Sequence, residues 1–178
     1  MKRTLLFFLM SIFLVSCATP DISDTVLPAA DNGIVLMRIN LQNKPHPVYF
    51  VFADQANIIL SSGTIQVLAV GENFRTIELP PGHYYFRRIS FEDSLWFAYL
   101  GEEFSFDVVA NKAIYIGDFD LSINWQEKTY RLDIVNRGDG ARDIYKLKYP
   151  MAAQAVPFVT AITKGPSSIS YKFNRIVR

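Results

Sequence analysis

The most telling segment of this chain reads Ile77-Glu78-Leu79-Pro80-Pro81-Gly82-His83-Tyr84. One β-type run ends at two prolines and a glycine, and a second run begins directly after them. Proline presets the backbone for the second position of a type II turn, and glycine accepts the positive φ of the third. The segment therefore predicts two strands joined by a tight turn, with Leu79 and Tyr84 entering the core from either side.

Similar runs, separated by turn-forming residues, follow each other through most of the chain. They span residues 34–41, 48–53, 64–70, 74–79, 83–91, 103–109, 113–121 and 128–136. In the last run Tyr130, Leu132 and Ile134 alternate with Arg131 and Asp133, as expected for a strand with one wet face; residues 104–108 alternate in the same way. Eight short runs at this spacing predict an antiparallel β-sandwich.

One short helix is predicted near the C-terminus. Asp139 can cap residues 140–149, basic residues occupy the last turn, and Pro150 follows as a stop. Ile144 and Leu147 would form a narrow apolar stripe covering one end of the sandwich. Residues 169–178 then alternate like an edge strand. The predicted fold class is mainly β, an antiparallel sandwich of about eight strands with one short C-terminal helix.

Composition and length limit the number of domains and the classes of partner that the chain can bind. Aromatic residues make up 14% of the chain, which favours strands over helices. The N-terminal 16 residues read as a leader; without its two basic residues, 16 basic residues face 17 acidic ones. Near neutrality indicates no nucleic-acid partner. The remaining 162 residues suffice for one domain, predicted over residues 33–178.

Residues 1–16 have the organisation of a secretory signal. Lys2 and Arg3 form a positive n-region, an apolar run follows, and small residues precede Cys17. A permanent membrane span needs about 20 apolar residues, and here the run is broken well before that length. The alternative of a plainly secreted protein remains open.

Cys17 is the only cysteine, and it follows Leu14-Val15-Ser16. In an oxidising exported compartment a single cysteine has no internal disulfide partner, and its thiol is a liability unless it is capped. The stretch resembles the lipobox of bacterial lipoprotein precursors, which implies lipidation of Cys17 and a lipid-anchored chain with residues 17–32 as a flexible tether. Ala18, rather than Asp, implies the outer membrane by the same resemblance.

A wider resemblance covers about half of the mature chain. The lipobox, residues 77–84, residues 104–108 and residues 113–119 together resemble small bacterial envelope lipoproteins with a prealbumin-like or carboxypeptidase-regulatory-like β-sandwich domain. That group has no assigned enzymatic activity. The resemblance implies a sandwich fold, and it carries over no catalytic residue.

Residues 91–101 hold the strongest binding candidates, Trp96, Phe97 and Tyr99, beside two acidic residues. Aromatic side chains with a polar rim are typical of protein and glycan recognition surfaces. The alternative is an ordinary strand in which Phe97 and Tyr99 alternate while Trp96 covers the core. Trp125, in a predicted hairpin turn, is a second exposed-aromatic candidate.

Catalytic and metal chemistry have little support in the sequence. His46 and His83, the only histidines, lack neighbouring ligands at short spacing and read as surface residues. Asp118 and Asp120 share one strand face and read as marking its solvated side or the strand end. We therefore predict no catalytic residue, no metal and no cofactor.

The sequence thus predicts a non-enzymatic envelope lipoprotein that binds another envelope component. The alternative is a carbohydrate-binding module that uses its exposed aromatic residues, and an enzyme ranks third. The expected partners are the membrane, through the lipid, and an envelope protein or glycan.

Overall fold

A computed structural model describes residues 21–22, 27–43, 47–56, 62–67, 69–91, 96–172 and 174–175, apart from the side chains of Ser62, Trp96 and Arg175. The predicted leader 1–16, Cys17, Ala18 and His46 lie outside the described residues.

Short strands dominate the described residues. They are β1 Gly33–Leu41, β2 Val48–Asp54, β3 Ser62–Val67, β4 Gly71–Leu79, β5 Gly82–Phe91, β6 Trp96–Tyr99, β7 Ser105–Val108, β8 Ala113–Asn124, β9 Thr129–Val135, β10 Phe158–Thr160, β11 Ser168–Lys172 and β12 Asn174–Arg175. Two helices, α1 Gly138–Lys148 and α2 Pro150–Ala155, lie between β9 and β10.

The strands form two sheets of six. Sheet 1 has the order β11-β9-β8-β1-β4, with β10 also paired to β8; sheet 2 has the order β12-β6-β5-β2-β3, with β7 also paired to β5. The predicted mainly β sandwich with a short C-terminal helix is confirmed. Two pairings in sheet 1, β1 with β8 and β10 with β8, are parallel.

The prolines and glycine at residues 80–82 do not form the predicted type II turn. Gly82 does not have a positive φ, and β4 and β5 belong to different sheets. The segment carries the chain from sheet 1 to sheet 2. Leu79 and Tyr84 do enter the core from either side, and the Tyr84 hydroxyl donates a hydrogen bond to the Pro80 carbonyl at 3.0 Å.

The core lies between the sheets and is rich in aromatic rings. Phe86 is fully buried and contacts Phe50, Phe106 and, across the sandwich, Phe119 of β8. The predicted alternation holds where it was clearest, because Tyr130, Leu132 and Ile134, like residues 104, 106 and 108, belong to this core. Burial of this apolar surface is the main driving force for the fold.

The helices cover the outer face of sheet 1. Ala141, Tyr145 and Tyr149 pack against Ile34 and Tyr115 in a second apolar cluster. The predicted stripe of Ile144 and Leu147 is therefore wrong: Leu147 is 82% exposed. Side chains four apart share a helix face, so burial of 141, 145 and 149 turns Leu147 towards solvent.

The helix also begins differently from the prediction. Arg137 occupies the N-cap position, and no side chain makes a capping hydrogen bond. Asp139 lies in the first turn with a fully exposed side chain. Instead of a cap, it contributes a favourable charge near the helix N-terminus and a long surface ion pair with Arg142, at 3.8 Å. Pro150 ends α1 and begins α2, where its missing N–H costs nothing.

Part of the predicted tether is held against sheet 1. The Ile22 N–H donates to the Thr76 carbonyl at 2.7 Å, and the Thr76 N–H donates to Asp21 Oδ1 at 2.9 Å. Glu78 Oε1 accepts hydrogen bonds from the Ala29 N–H and from Asn32 Nδ2. The described residues 21–22 and 27–32 thus follow the edge of β4 instead of extending away from the domain.

The C-terminal run joins both sheets. As predicted, its first part is an edge strand, since β11 pairs with β9 at the border of sheet 1. Two residues later β12 pairs with β6 of sheet 2. The end of the chain therefore links the two sheets on one side of the sandwich.

Candidate functional site

The two outer faces of the sandwich differ, because the helices among the described residues cover that of sheet 1. On sheet 2 the odd residues of β2, Tyr49 and Val51, point away from the core, because Phe50 and Phe52 belong to it. Residues paired directly across strands lie on the same face of a sheet. The pairings of Tyr49 and Val51 define an outward surface that we call the aromatic face. It consists of Tyr49, Gln66, Arg88, Ser90, Phe97 and Tyr99.

Phe97 and Tyr99 are in contact on the aromatic face, and Tyr99 is the most exposed of its side chains. Their ring centroids are 4.9 Å apart and their planes meet at 76°, an edge-to-face contact. Tyr99 is 69% exposed, whereas Phe97 is half-buried. One ring thus supports the other in a fixed orientation, which suits an anchor in a binding surface.

Cationic side chains border the two rings. Arg88 is the cross-strand neighbour of Tyr99, and Arg87 is the extra residue of a β-bulge in β5. Among the described residues, neither arginine has a salt-bridge partner. Arginine beside tyrosine is the composition most enriched at binding hot spots, and it favours a partner that carries acidic groups.

Polar groups lie between the aromatic residues. Gln66 Nε2 donates to the Tyr49 hydroxyl at 3.2 Å. Ser90, paired between Tyr49 and Phe97, is only 1% exposed, and within the described part of the chain its hydroxyl has no hydrogen-bond partner. A buried hydroxyl in this state gains free energy when a polar group reaches it.

The predicted site residues therefore fall in three places. Phe97 and Tyr99 lie on the aromatic face as members of a regular strand, as the alternative interpretation of residues 91–101 expected, and their role in binding stays a prediction. Trp96 pairs with Phe91 and Arg175 through its backbone, and its side chain lies outside the described residues.

Trp125 lies elsewhere and is not an exposed platform. It is half-buried in the β8–β9 turn and packs against the core, with its ring edge-to-face to Phe91 at 6.2 Å. The Lys128 ammonium lies 5.1 Å from its ring centroid. These contacts make Trp125 a part of the sandwich end.

Sequence reasoning missed Tyr49, Gln66 and Arg88. One signal was present in residues 48–53, Val-Tyr-Phe-Val-Phe-Ala, which is apolar on both strand faces. Such a strand has either a second covered face or a surface that serves binding. Nothing local, however, indicates that Tyr49 and Phe97 share one sheet.

A second polar cluster lies under the helix layer and corrects the prediction for Asp118. Its side chain is 1% exposed and accepts hydrogen bonds from Arg38, with Nε at 2.9 Å, from Arg137 Nη1 at 2.8 Å and from the Tyr115 hydroxyl. Asp120 accepts from Arg137 Nη2 at 3.2 Å. The two aspartates do share a face, but it is the covered face of sheet 1 and not a solvated one.

A β-bulge explains this placement. Two residues of β8, Ile116 and Gly117, oppose Met37 alone in β1, and Gly117 has a φ of +121°. The extra residue shifts the alternation, so Ile116 and Phe119 both face the core while Asp118 joins Tyr115 on the other side. Glycine accepts this φ without the penalty of a side chain.

The charges of this cluster act on the neighbouring pKa values. The hydrogen bond that Arg38 donates to Asp118 raises the pKa of Arg38, and the bonds that Arg137 donates to Asp118 and Asp120 raise the pKa of Arg137. Burial, followed by the bond to Asp118, raises the pKa of Tyr115 above its usual range. Both arginines are therefore charged and fully occupied, which indicates a structural cluster.

A polar cavity of about 370 Å³ opens beside this cluster, at the start of α1. Its lining includes Arg137, Gly138 and Thr160. The Arg137 guanidinium already binds two aspartates. The cavity therefore offers no uncommitted charge from that residue.

His83 and Lys164 both contact the Asp107 carboxylate at the surface. His83 Nδ1 lies 2.5 Å from Asp107 Oδ1, and Lys164 Nζ lies 2.9 Å from Asp107 Oδ2. The hydrogen bond with His83, and then that with Lys164, lowers the pKa of Asp107. Within the described ranges, no three His, Cys, Asp or Glu side chains are grouped as they would be around a metal ion.

Comparison with known proteins returned no match among family models, curated proteins or solved structures. The resemblance to β-sandwich lipoproteins stays a prediction. In the part of the chain that the structure covers, no helix has the length and apolarity needed to cross a bilayer.

Proposed function

We propose that this protein is a lipid-anchored, non-enzymatic lipoprotein of the bacterial envelope, in the outer membrane, whose sandwich domain binds another envelope component through the aromatic face. The observation that carries the binding role is the exposed Tyr99 ring, in edge-to-face contact with the half-buried Phe97 and beside Arg88 on the outer face of sheet 2. The outer face of sheet 1 is occupied by α1 and α2. Among the described residues no helix covers the outer face of sheet 2, and we take that face as the surface for a partner.

The membrane attachment rests on the leader and Cys17. We expect Cys17→Ser to abolish incorporation of a fatty-acid probe and to release the protein from membranes, because the thiol that would carry the lipid is gone. The measurement is labelling with an alkyne fatty acid, together with fractionation, in a Gram-negative host.

The matched control is Ser16→Ala, which keeps a small residue before the cysteine and leaves the thiol in place. It should label and fractionate like the wild type. Persistent labelling and membrane association of Cys17→Ser would refute lipidation at this residue. The binding role of the domain is tested independently.

Site-specific photocrosslinking tests the aromatic face. With benzoylphenylalanine at position 99, we expect one adduct of defined mass in living cells, because that side chain is 69% exposed in the proposed contact surface. The control position is Tyr171, also 62% exposed but in sheet 1. It should give no such adduct.

Replacing Tyr99 with alanine then measures how much its ring contributes to the binding affinity. Once the adduct is identified, Tyr99→Ala should weaken binding of that partner by about 2 kcal/mol, roughly 30-fold, as for a hot-spot tyrosine. Tyr171→Ala should leave the affinity unchanged. Equal adducts at both positions, or equal affinities of both variants, would contradict a role for this face.

A glycan is the second candidate partner, and the exposed Tyr99 ring favours it. Sugars stack on exposed aromatic rings, and Arg88 and Gln66 could hydrogen-bond their hydroxyl or acidic groups. Crosslinking distinguishes the two classes, because glycosidases would remove the added mass of a glycan partner, whereas an adduct with a protein partner would yield that protein's peptides after proteolysis.

A further inference from the structure

Exposed apolar and basic side chains meet on the outer side of the helix layer. We call the set Lys146, Leu147, Lys148 and Met151 the helix patch. Leu147 is 82% exposed and Met151 48% exposed, although both are large apolar side chains. Among the described residues, no carboxylate lies within salt-bridge distance of Lys146 or Lys148. The patch thus combines uncovered apolar area with free positive charge.

The helix patch lies beside the point where the N-terminal segment reaches the domain. Asp21 Oδ1 lies 3.2 Å from Arg75 Nε, and Ile22 packs against the apolar cluster under the helices. The Lys148 ammonium lies 5.8 Å from the ring centroid of Phe74, the neighbour of Arg75 on β4. The end of α1 and the docked residues 21–22 therefore occupy the same border of sheet 1.

The chain between Cys17 and Asp21 is short. Four residues span at most about 14 Å when fully extended. If the lipid of Cys17 is in the bilayer, Asp21 must lie within that distance of it. The border of sheet 1 that carries the helix patch is then held next to the membrane surface.

We propose that the helix patch contacts an anionic phospholipid surface and fixes the orientation of the domain on the membrane. The proposal rests on the lipidation of Cys17 in the proposed function. Leu147 and Met151 enter the headgroup region, and Lys146 and Lys148 pair with lipid phosphates. An exposed leucine with a lysine on either flank of the solvent side of the helix is typical of interfacial contacts, and two lysines suffice because the lipid already holds the domain there.

This orientation also concerns the aromatic face. The helices lie on sheet 1, whereas Phe97 and Tyr99 project from sheet 2, on the opposite side of the core. Contact of the helix patch with lipid therefore directs the aromatic face away from the bilayer, towards a partner in the compartment.

The test uses the full lipidated chain with Leu147→Cys. Since lipid would occupy the thiol of the only native cysteine, the introduced one takes an environment-sensitive nitrobenzoxadiazole label alone. The protein is reconstituted in vesicles of phosphatidylethanolamine and phosphatidylglycerol. We expect a blue-shifted emission that doxyl-labelled lipids quench several-fold more strongly than a label at the control position.

Tyr171→Cys is the matched control. It is also exposed, but it lies on β11, four strand spacings or about 19 Å across sheet 1 from β4. Its label should stay in water. Combining Leu147→Cys with Lys146→Gln and Lys148→Gln, or replacing phosphatidylglycerol with phosphatidylcholine, should reduce the quenching at position 147.

The possible outcomes distinguish failure of the helix-patch proposal from failure of the proposed lipid anchor. Vesicle flotation with equal quenching at 147 and 171 would overturn the patch and leave the lipid anchor intact. Failure of the lipidation-competent chain to float would overturn both. An emission shift that follows protein concentration in detergent would show that a second copy, and not lipid, covers the patch, and would also overturn the proposal.

Discussion

Asp118→Ala is expected to lower the free energy of unfolding by about 3 kcal/mol, since removal of one member of a buried ion pair leaves charge without compensation. Asp118 lies between Arg38 and Arg137 and accepts hydrogen bonds from both. The two guanidinium groups are close enough to repel each other, an effect that opposes the raised pKa of Arg38. Without Asp118, Arg38 keeps only its ion pair with Glu72, and Arg137 keeps only its ion pair with Asp120.

Chemical denaturation in urea measures this change, and for a chain of this size a fall in Tm on the order of 10 °C should accompany it. Asp118→Asn retains the shape of the side chain, so a similar loss of stability in that variant would show that the charge of Asp118 is responsible.

The control is Asp133→Ala, which removes a surface carboxylate paired with Arg131, whose side chain is 63% exposed. We expect a loss below about 1 kcal/mol there. Equal losses for Asp118→Ala and Asp133→Ala would show that the buried cluster contributes no more than a surface pair.

Phe86→Ala should destabilise the domain by about 3–5 kcal/mol, the range for deleting a buried phenylalanine. The Phe86 ring is fully buried, with centroids 5.3 Å from both Phe106 and Phe119 and 6.1 Å from Phe50. Because Phe119 belongs to sheet 1 and the others to sheet 2, the lost ring would leave a cavity at the junction of both sheets.

Phe97→Ala is the matched control for this substitution. Phe97 is half-buried on the outer side of the same sheet, so its loss should cost about 1 kcal/mol. If Phe86→Ala does not fold, Phe86→Leu provides a smaller deletion with the same expected direction. A denaturation midpoint for Phe86→Leu equal to that of the wild type, or a larger loss for Phe97→Ala, would be inconsistent with a core centred on Phe86.

The binding candidates were only partly visible in the sequence. Phe97 and Tyr99 could be singled out because aromatic residues cluster beside charged ones in a short segment. Trp125 has the same local signature, yet it packs against Phe91 and the core. Exposure depends on what lies across the fold, and local composition does not carry that information.

The helix shows a similar division. Its position near the C-terminus followed from its propensity, its basic last turn and Pro150. The buried side of the helix could not be predicted in this way. Ile144 and Leu147 are more apolar than Ala141 and Tyr145, yet it is Ala141 and Tyr145 that pack against sheet 1. The direction of the preceding strand and the position of Arg137 set the rotation of the helix, and both are tertiary features.

Local sequence therefore specified the longer strands and, where the alternation is unbroken, their inward and outward residues, since alternation is a property of the extended backbone itself. Tyr130, Leu132 and Ile134 needed no knowledge of their partners. The pairing of strands was decided by the tertiary structure: residues 80–82 cross between sheets, a bulge at Gly117 places Asp118 beneath the helices, and Tyr49 joins Phe97 on one face. These are contacts between residues distant in sequence, and their free energy depends on the packing of the whole sandwich.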